Sequence, residues 1–80
     1  MKIYVVVTEH HISGIKTLNA NVFQDRTSAE IHLRFEKTQA KTSFPSWNQI
    51  DVENGFVVAK NINDNSGYFI ECRIFEREVE

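Results

Sequence analysis

Apolar residues run together in one part of this chain and alternate with polar ones in several others, and the change of pattern marks out its elements. Ile3 to Thr8 is an unbroken β-branched and aromatic run, which suits a strand buried on both faces near the middle of a sheet. A loop over Glu9–Gly14 follows. Lys16, Leu18, Ala20 and Val22 then alternate with Thr17, Asn19 and Asn21 in a second strand, whose apolar set begins at Leu18. Further on, Asn54-Gly55 stands between Gln49–Glu53 and Phe56–Lys60. This pair is the preferred centre of a two-residue type I′ hairpin, in which both central residues take positive φ. A longer polar turn over Asn61–Gly67 leads into Tyr68–Arg77. There Tyr68, Ile70, Cys72 and Ile74 face one way, and Phe69, Glu71, Arg73, Phe75 and Arg77 face the other.

Between these strands, Ser28 to Ala40 carries two periods at once. Ala29, Ile31, Leu33 and Phe35 alternate with Glu30, His32, Arg34 and Glu36 as in a strand, yet Thr27 and Glu30 stand in capping-box relation. Ala, Glu, Leu, Arg, Lys and Gln dominate from Ala29 to Lys41, which decides for a helix opened by Asp25–Ser28. At 100° per residue, Ala29, Leu33 and Ala40 fall within about 40° of one another, while Ile31 and Phe35 swing to roughly 200–240°. Such a helix has two apolar faces. One covers the sheet, and the other is left for a partner, most simply a second copy of the chain. Thr42–Trp47, with the only proline at Pro45, leads back to the sheet.

The resulting order, β-β-α-β-β-β, predicts a single α+β domain over residues 1–80, with one helix packed on a mainly antiparallel sheet of four or five strands. Eighty residues bury only about 60–65% of the surface of the unfolded chain, so burial against a partner would add stability to a marginal fold. Nine Lys plus Arg against eleven Asp plus Glu give a net charge of −2, which lacks the basic excess of a phosphate-wrapping protein. The single Cys72 excludes an internal disulfide, and the start, Met1-Lys2-Ile3-Tyr4-Val5-Val6-Val7-Thr8, is too short an apolar run for a signal peptide or a membrane span. The expectation is a cytoplasmic protein.

The β-rich start, the passage Val22-Phe23-Gln24-Asp25-Arg26-Thr27-Ser28-Ala29-Glu30 into a helix, and the hairpin end together resemble short uncharacterised proteins of bacteria and their phages. These share no common known activity, so the resemblance implies a fold and carries over no functional residue.

Candidate chemistry is sparse. Glu9, His10 and His11 with His32 have the residue types of a zinc site, but neighbours on an extended chain point apart, so His10 and His11 do not share an ion and no metal or other cofactor is expected. His32 reads as a helix-flank residue able to change charge near neutral pH. Cys72, in line with Ile70 and Ile74, reads as a small buried hydrophobe. Asp51, Glu53, Asp64 and Glu71 have no paired carboxylate partner by spacing, and Gly14, Gly55 and Gly67 are too far apart for a phosphate loop, so no enzyme is expected. Trp47 reads as a plug at the core edge or an interface anchor. The stripe Phe69, Arg73, Phe75 and Arg77 offers rings and guanidinium groups to stack on bases, but Glu71, Glu76, Glu78 and Glu80 interrupt it. Two readings follow. The first is a non-catalytic interaction module, a homodimer or a binder of another protein, using Ile31 and Phe35 or Phe69, Arg73 and Phe75. The second is a small nucleic-acid-associated regulator using the Phe69–Arg77 face.

Overall fold

The computed structural model describes residues 1–60 and 68–80, so the expected turn over 61–67, with Asp64 and Gly67, lies outside the described residues. Its elements are β1 (Lys2–Ile12), β2 (Ile15–Phe23), α1 (Arg26–Ser43), β3 (Asn48–Val52), β4 (Gly55–Ala59) and β5 (Phe69–Glu78). The strands form one antiparallel sheet in the order β2-β1-β5-β4-β3, and the helix packs on one of its faces. The α+β class and the element order are therefore those the sequence predicts.

Side-chain alternation assigns the two faces. Val6 and Thr8 on β1, Phe56 and Val58 on β4, and Ile70, Cys72 and Ile74 on β5 lie opposite one another across the ladders and are buried beneath Ala29 and Ala40 of the helix. Leu33 packs against this core, as the helical wheel expects. Trp47 is buried and stacks on Phe44 at 3.9 Å between ring centroids, which makes it a plug where the helix ends. Lys41 Nζ donates to the Trp47 carbonyl at 2.9 Å and holds that corner.

Three local expectations are corrected. First, β1 continues through Glu9–Ile12, and only Ser13-Gly14 turns, with φ of 54° and 77°. Positive φ at both residues gives this two-residue turn the type I′ form expected at Asn54-Gly55. Although β1 is interior in strand order, Val5 and Val7 on its other side are only half-buried, so the run is not enclosed on both faces. Second, the helix is capped by Asp25 rather than Thr27. Asp25 Oδ1 accepts from the Ser28 amide at 2.8 Å and Oδ2 from Ser28 Oγ at 3.0 Å, while Glu30 pairs with Arg26. Third, the turn between β3 and β4 is Glu53-Asn54, because Val52 pairs with Gly55. Asn54 takes the positive φ, 61°, and Gly55 belongs to the strand. Gly55 is needed there for a different reason. A Cβ on it would stand 2.0 Å from the Cys72 carbonyl oxygen and 2.9 Å from Arg73 Cα, so β4 approaches β5 more closely than any side chain allows.

Candidate interaction surfaces

The face of the sheet opposite the helix carries Ile3, Val5, Val7, Glu9 and His11 of β1, Lys16, Leu18, Ala20 and Val22 of β2, and Phe69, Glu71, Arg73, Phe75 and Arg77 of β5. Among the described residues no element covers it. The ladders set these side chains in rows. Val22, Val5 and Phe75 form one apolar row, and Ala20, Val7 and Arg73 form the next. One half of the face is thus an apolar floor, and the other half is a charged belt.

The belt is internally neutralised. Glu9 and Glu71 stand directly opposite each other on β1 and β5, a repulsive pairing that needs cations close by. Lys16 Nζ lies 3.0 Å from Glu9, and Arg73 Nε lies 2.6 Å from Glu71. His11 Nε2 is 3.1 Å from Glu9, at ion-pair distance but, like the Arg73 contact, out of line for a hydrogen bond. His11 first, and then Lys16, hold the Glu9 carboxyl below the usual carboxylate range. His11 also stacks on Phe69 at 4.2 Å, and the Arg77 guanidinium lies 5.6 Å over the Phe75 ring. Of the three expected interface residues on β5, Phe75 is exposed, Phe69 is half-covered by His11, and Arg73 is half-buried and paired with Glu71.

The second surface lies on the opposite side of the molecule. Ile31 and Phe35 of the helix are 57% and 55% exposed, and because the helix covers the other face of the sheet they do not join Phe69, Arg73 and Phe75 in one continuous site. They do not stand alone. With Phe23, Ser28 and His32 they line an open groove of about 390 Å³ above the β2 side of the sheet. Asn21 of β2 meets His32 Nε2 at 3.1 Å, Glu36 approaches the same nitrogen at 3.3 Å, and the Phe23 and His32 rings are 5.4 Å apart. The helix therefore leans its apolar stripe toward β2.

Strand β2 joins the two surfaces. Its nine residues form one edge of the sheet, and Ile15 through Val22 are all exposed, with Val22 at 62% and Leu18 at 57%. Sequence alternation identifies the strand but not its place at the edge, which depends on β5 pairing with β1 and not with β2.

The catalytic candidates are dispersed. Cys72 is buried, its Sγ lies 3.4 Å from Thr8 Oγ1, and burial pushes its thiol up to about 11, away from the reactive thiolate. His10 and His11 fall on opposite faces of β1 and His32 lies on the helix. Among the described residues no three His, Cys, Asp or Glu side chains gather as metal ligands. A hollow of about 340 Å³ under the second half of the helix is lined by His10, Glu36, Ser43, Phe35 and Phe44, and among the described residues no hydrogen bond joins the Ser43 hydroxyl to His10 or Glu36. No described helix is long and apolar enough to cross a membrane. Comparison with protein-family models, curated proteins and solved structures gives no match, so the assignment of a site rests on geometry alone.

Proposed function

We propose that this chain is a non-catalytic interaction module that associates with itself and, through its open sheet face, with another protein. The observation that carries this reading is a fold with a single covering layer. Of the large apolar residues left exposed, Leu18 and Val22 lie on the open face of the edge strand β2 with Phe75 two strands further in, and Ile31 and Phe35 lie on the helix side of the same edge, while Met1, Ile15, Ile50 and Val79 are exposed elsewhere. Exposed apolar residues grouped on a face that no described element covers mark protein contact sites, and a small domain gains stability by covering them. The nucleic-acid reading has less support. The belt cations Lys16 and Arg73 are already committed to Glu9 and Glu71, and each phosphate contact would have to displace a carboxylate.

Sedimentation of the purified chain over a range of concentration and salt, alone and with single-stranded and duplex nucleic acid, tests the reading. Apolar self-association persists or strengthens as salt rises, whereas binding to phosphate weakens steeply. The double substitution Ile31→Glu, Phe35→Lys should leave a folded protein that associates more weakly, because both side chains face water. A parent that stays monomeric at high concentration removes self-association, and salt-sensitive capture of nucleic acid would favour the other reading.

A further inference from the structure

We infer that two copies of this chain pair through strand β2, edge to edge and antiparallel about a two-fold axis at Ala20, making one ten-stranded sheet. The inference rests on the self-association proposed above and assigns its surface. It starts from the hydrogen-bond pattern of the hairpin. In a two-residue turn the flanking residues form a hydrogen-bonded pair, here Ile12 with Ile15. Alternation then directs the N–H and C=O groups of Ile15, Thr17, Asn19, Asn21 and Phe23 toward β1, and those of Lys16, Leu18, Ala20 and Val22 outward. Among the described residues these outward groups have no ladder partner, since β2 is the last strand of the sheet.

Natural sheets blunt such edges with short strands, proline, bulges or charge. The opposite edge, β3, is five residues long and carries Asp51, drawn to Lys37 of the helix at 2.9 Å. Strand β2 has nine residues, no proline, an unbroken register and a single charge, Lys16, which is itself held by Glu9. It is an open edge by comparison.

The sequence of this edge fits a second copy of itself. With the axis at Ala20, Leu18 faces the second copy's Val22, Asn19 its Asn21, Ala20 its Ala20, and Lys16 its Gln24. Apolar residues meet apolar ones, amides meet amides, and no like charges are opposed. Shifting the axis to Asn19 sets Lys16 against Val22, and shifting it to Leu18 leaves Val22 without an apolar partner. Pairing at Ala20 also makes the two surfaces continuous. On the open face the rows ending in Val22 and Ala20 run on into those of the second copy, and on the other face the two Ile31/Phe35 stripes overhang the same junction from either side.

Hydrogen exchange, cross-linking and sedimentation test the pairing on the intact chain. At associating concentration the amides of Lys16, Leu18, Ala20 and Val22 should become protected, whereas on dilution only those of Thr17, Asn19 and Asn21 stay protected. Ala20→Cys should oxidise to a linked dimer, because facing residues of a hydrogen-bonded pair have Cα atoms about 5.5 Å apart, within disulfide reach. Asn19→Cys should not, since its counterpart lies offset by two residues, at about 8 Å. Ala20→Pro removes an outward N–H that bonds to no described residue, so it should fold and weaken association by at least about 100-fold. If that protein does not fold, Leu18→Lys with Val22→Lys, at exposed positions, serves the same purpose. A parent dimer in which the four outward amides exchange freely, or which a folded Ala20→Pro protein still forms, overturns the β2 pairing while leaving self-association standing. A monomeric parent overturns both.

Discussion

At Gly55 the backbone of β4 lies hard against that of β5, and adding one methyl group there should measure how tightly the two strands are held together. In Gly55→Ala the new Cβ would lie 2.0 Å from the Cys72 carbonyl oxygen, where ordinary contact begins near 3.4 Å, so the strands must part by more than an ångström at that point. The obstacle is backbone and does not rotate away. Cys72 is fixed on its other side by pairing with Thr8, and the Ile74 amide donates to the Asn54 carbonyl at 2.8 Å just beyond. Parting the strands sacrifices one or two ladder bonds at about 1 kcal/mol each and adds overpacking strain of about 1–3 kcal/mol. The stiffer unfolded chain returns about 0.4–1 kcal/mol. The net loss is about 1–5 kcal/mol with a midpoint near 3 kcal/mol, which corresponds to roughly 12–24 °C in Tm for a domain of this size. Urea unfolding with an unchanged m value reads it directly. Gly55→Asn separates this cause from turn strain, because Asn tolerates a left-handed φ and would be nearly harmless in a type I′ turn, yet it meets the same carbonyl here. A Gly55→Ala protein as stable as the parent, or a Gly55→Asn protein more stable than Gly55→Ala, would refute the close-approach argument.

Leu33→Ala should lose about 2–3 kcal/mol in the same assay, at the low end for a leucine because Leu33 is only partly buried against the core. Cys72 should react with a thiol reagent far more slowly in native protein than in urea, and equal rates would place it at the surface. Its thiol also makes stability depend on alkaline pH. The folded protein keeps the proton up to about 11, whereas the unfolded chain loses it near the ordinary value of 9.0. The unfolded state therefore binds fewer protons in that interval, and stability, complete below pH 9, falls as pH rises toward 11 by on the order of 2–3 kcal/mol. Cys72→Ala should remove this slope, and an unchanged slope would locate the titration elsewhere. At the acid end Glu9 has the opposite sign. Its lowered folded value contributes stability above the ordinary carboxylate range and loses it as pH falls through the folded value, so Glu9→Gln should flatten the acid limb of a stability–pH profile.

The parts of the fold legible in the sequence were those set by local periodicity. Ile70, Cys72 and Ile74 fell on the buried side of their strand because period two leaves no other arrangement. Ala29, Leu33 and Ala40 fell on the buried stripe because helical composition outweighed their alternation with polar neighbours. Turn positions were less legible. Asn54-Gly55 carries the strongest short-range hairpin signal, yet the register between β4 and β5 places Gly55 one residue into the strand, where a nonlocal contact, the Cys72 carbonyl, excludes a side chain. Ser13-Gly14 gave no such signal, and Glu9–Ile12 looked like loop because Glu and two His interrupt the apolar run. These residues are in fact strand, with Glu9 and His11 on the open face where Lys16 and Phe69 accommodate them. In each case a partner distant in sequence decided the outcome.

The same division holds for the interaction surfaces. Helical spacing was enough to turn Ile31 and Phe35 away from the core, and strand spacing was enough to put Phe69, Arg73 and Phe75 on one face. Neither spacing reveals that the two sets look in opposite directions, because that depends on which face of the sheet the helix covers. Nor does it reveal that β2 is the edge joining them. Strand order settles both points. Since α1 leaves β2 at one edge and enters β3 at the other, it crosses a single face and leaves the second bare, and β5 closes against β1 so that β2 is left outermost. Leu18, Ala20 and Val22, which in sequence look like the inward half of an ordinary amphipathic strand, therefore lie on the bare face of an unpaired edge. Among the described residues no element covers them, and the proposed association is the way this topology would bury them.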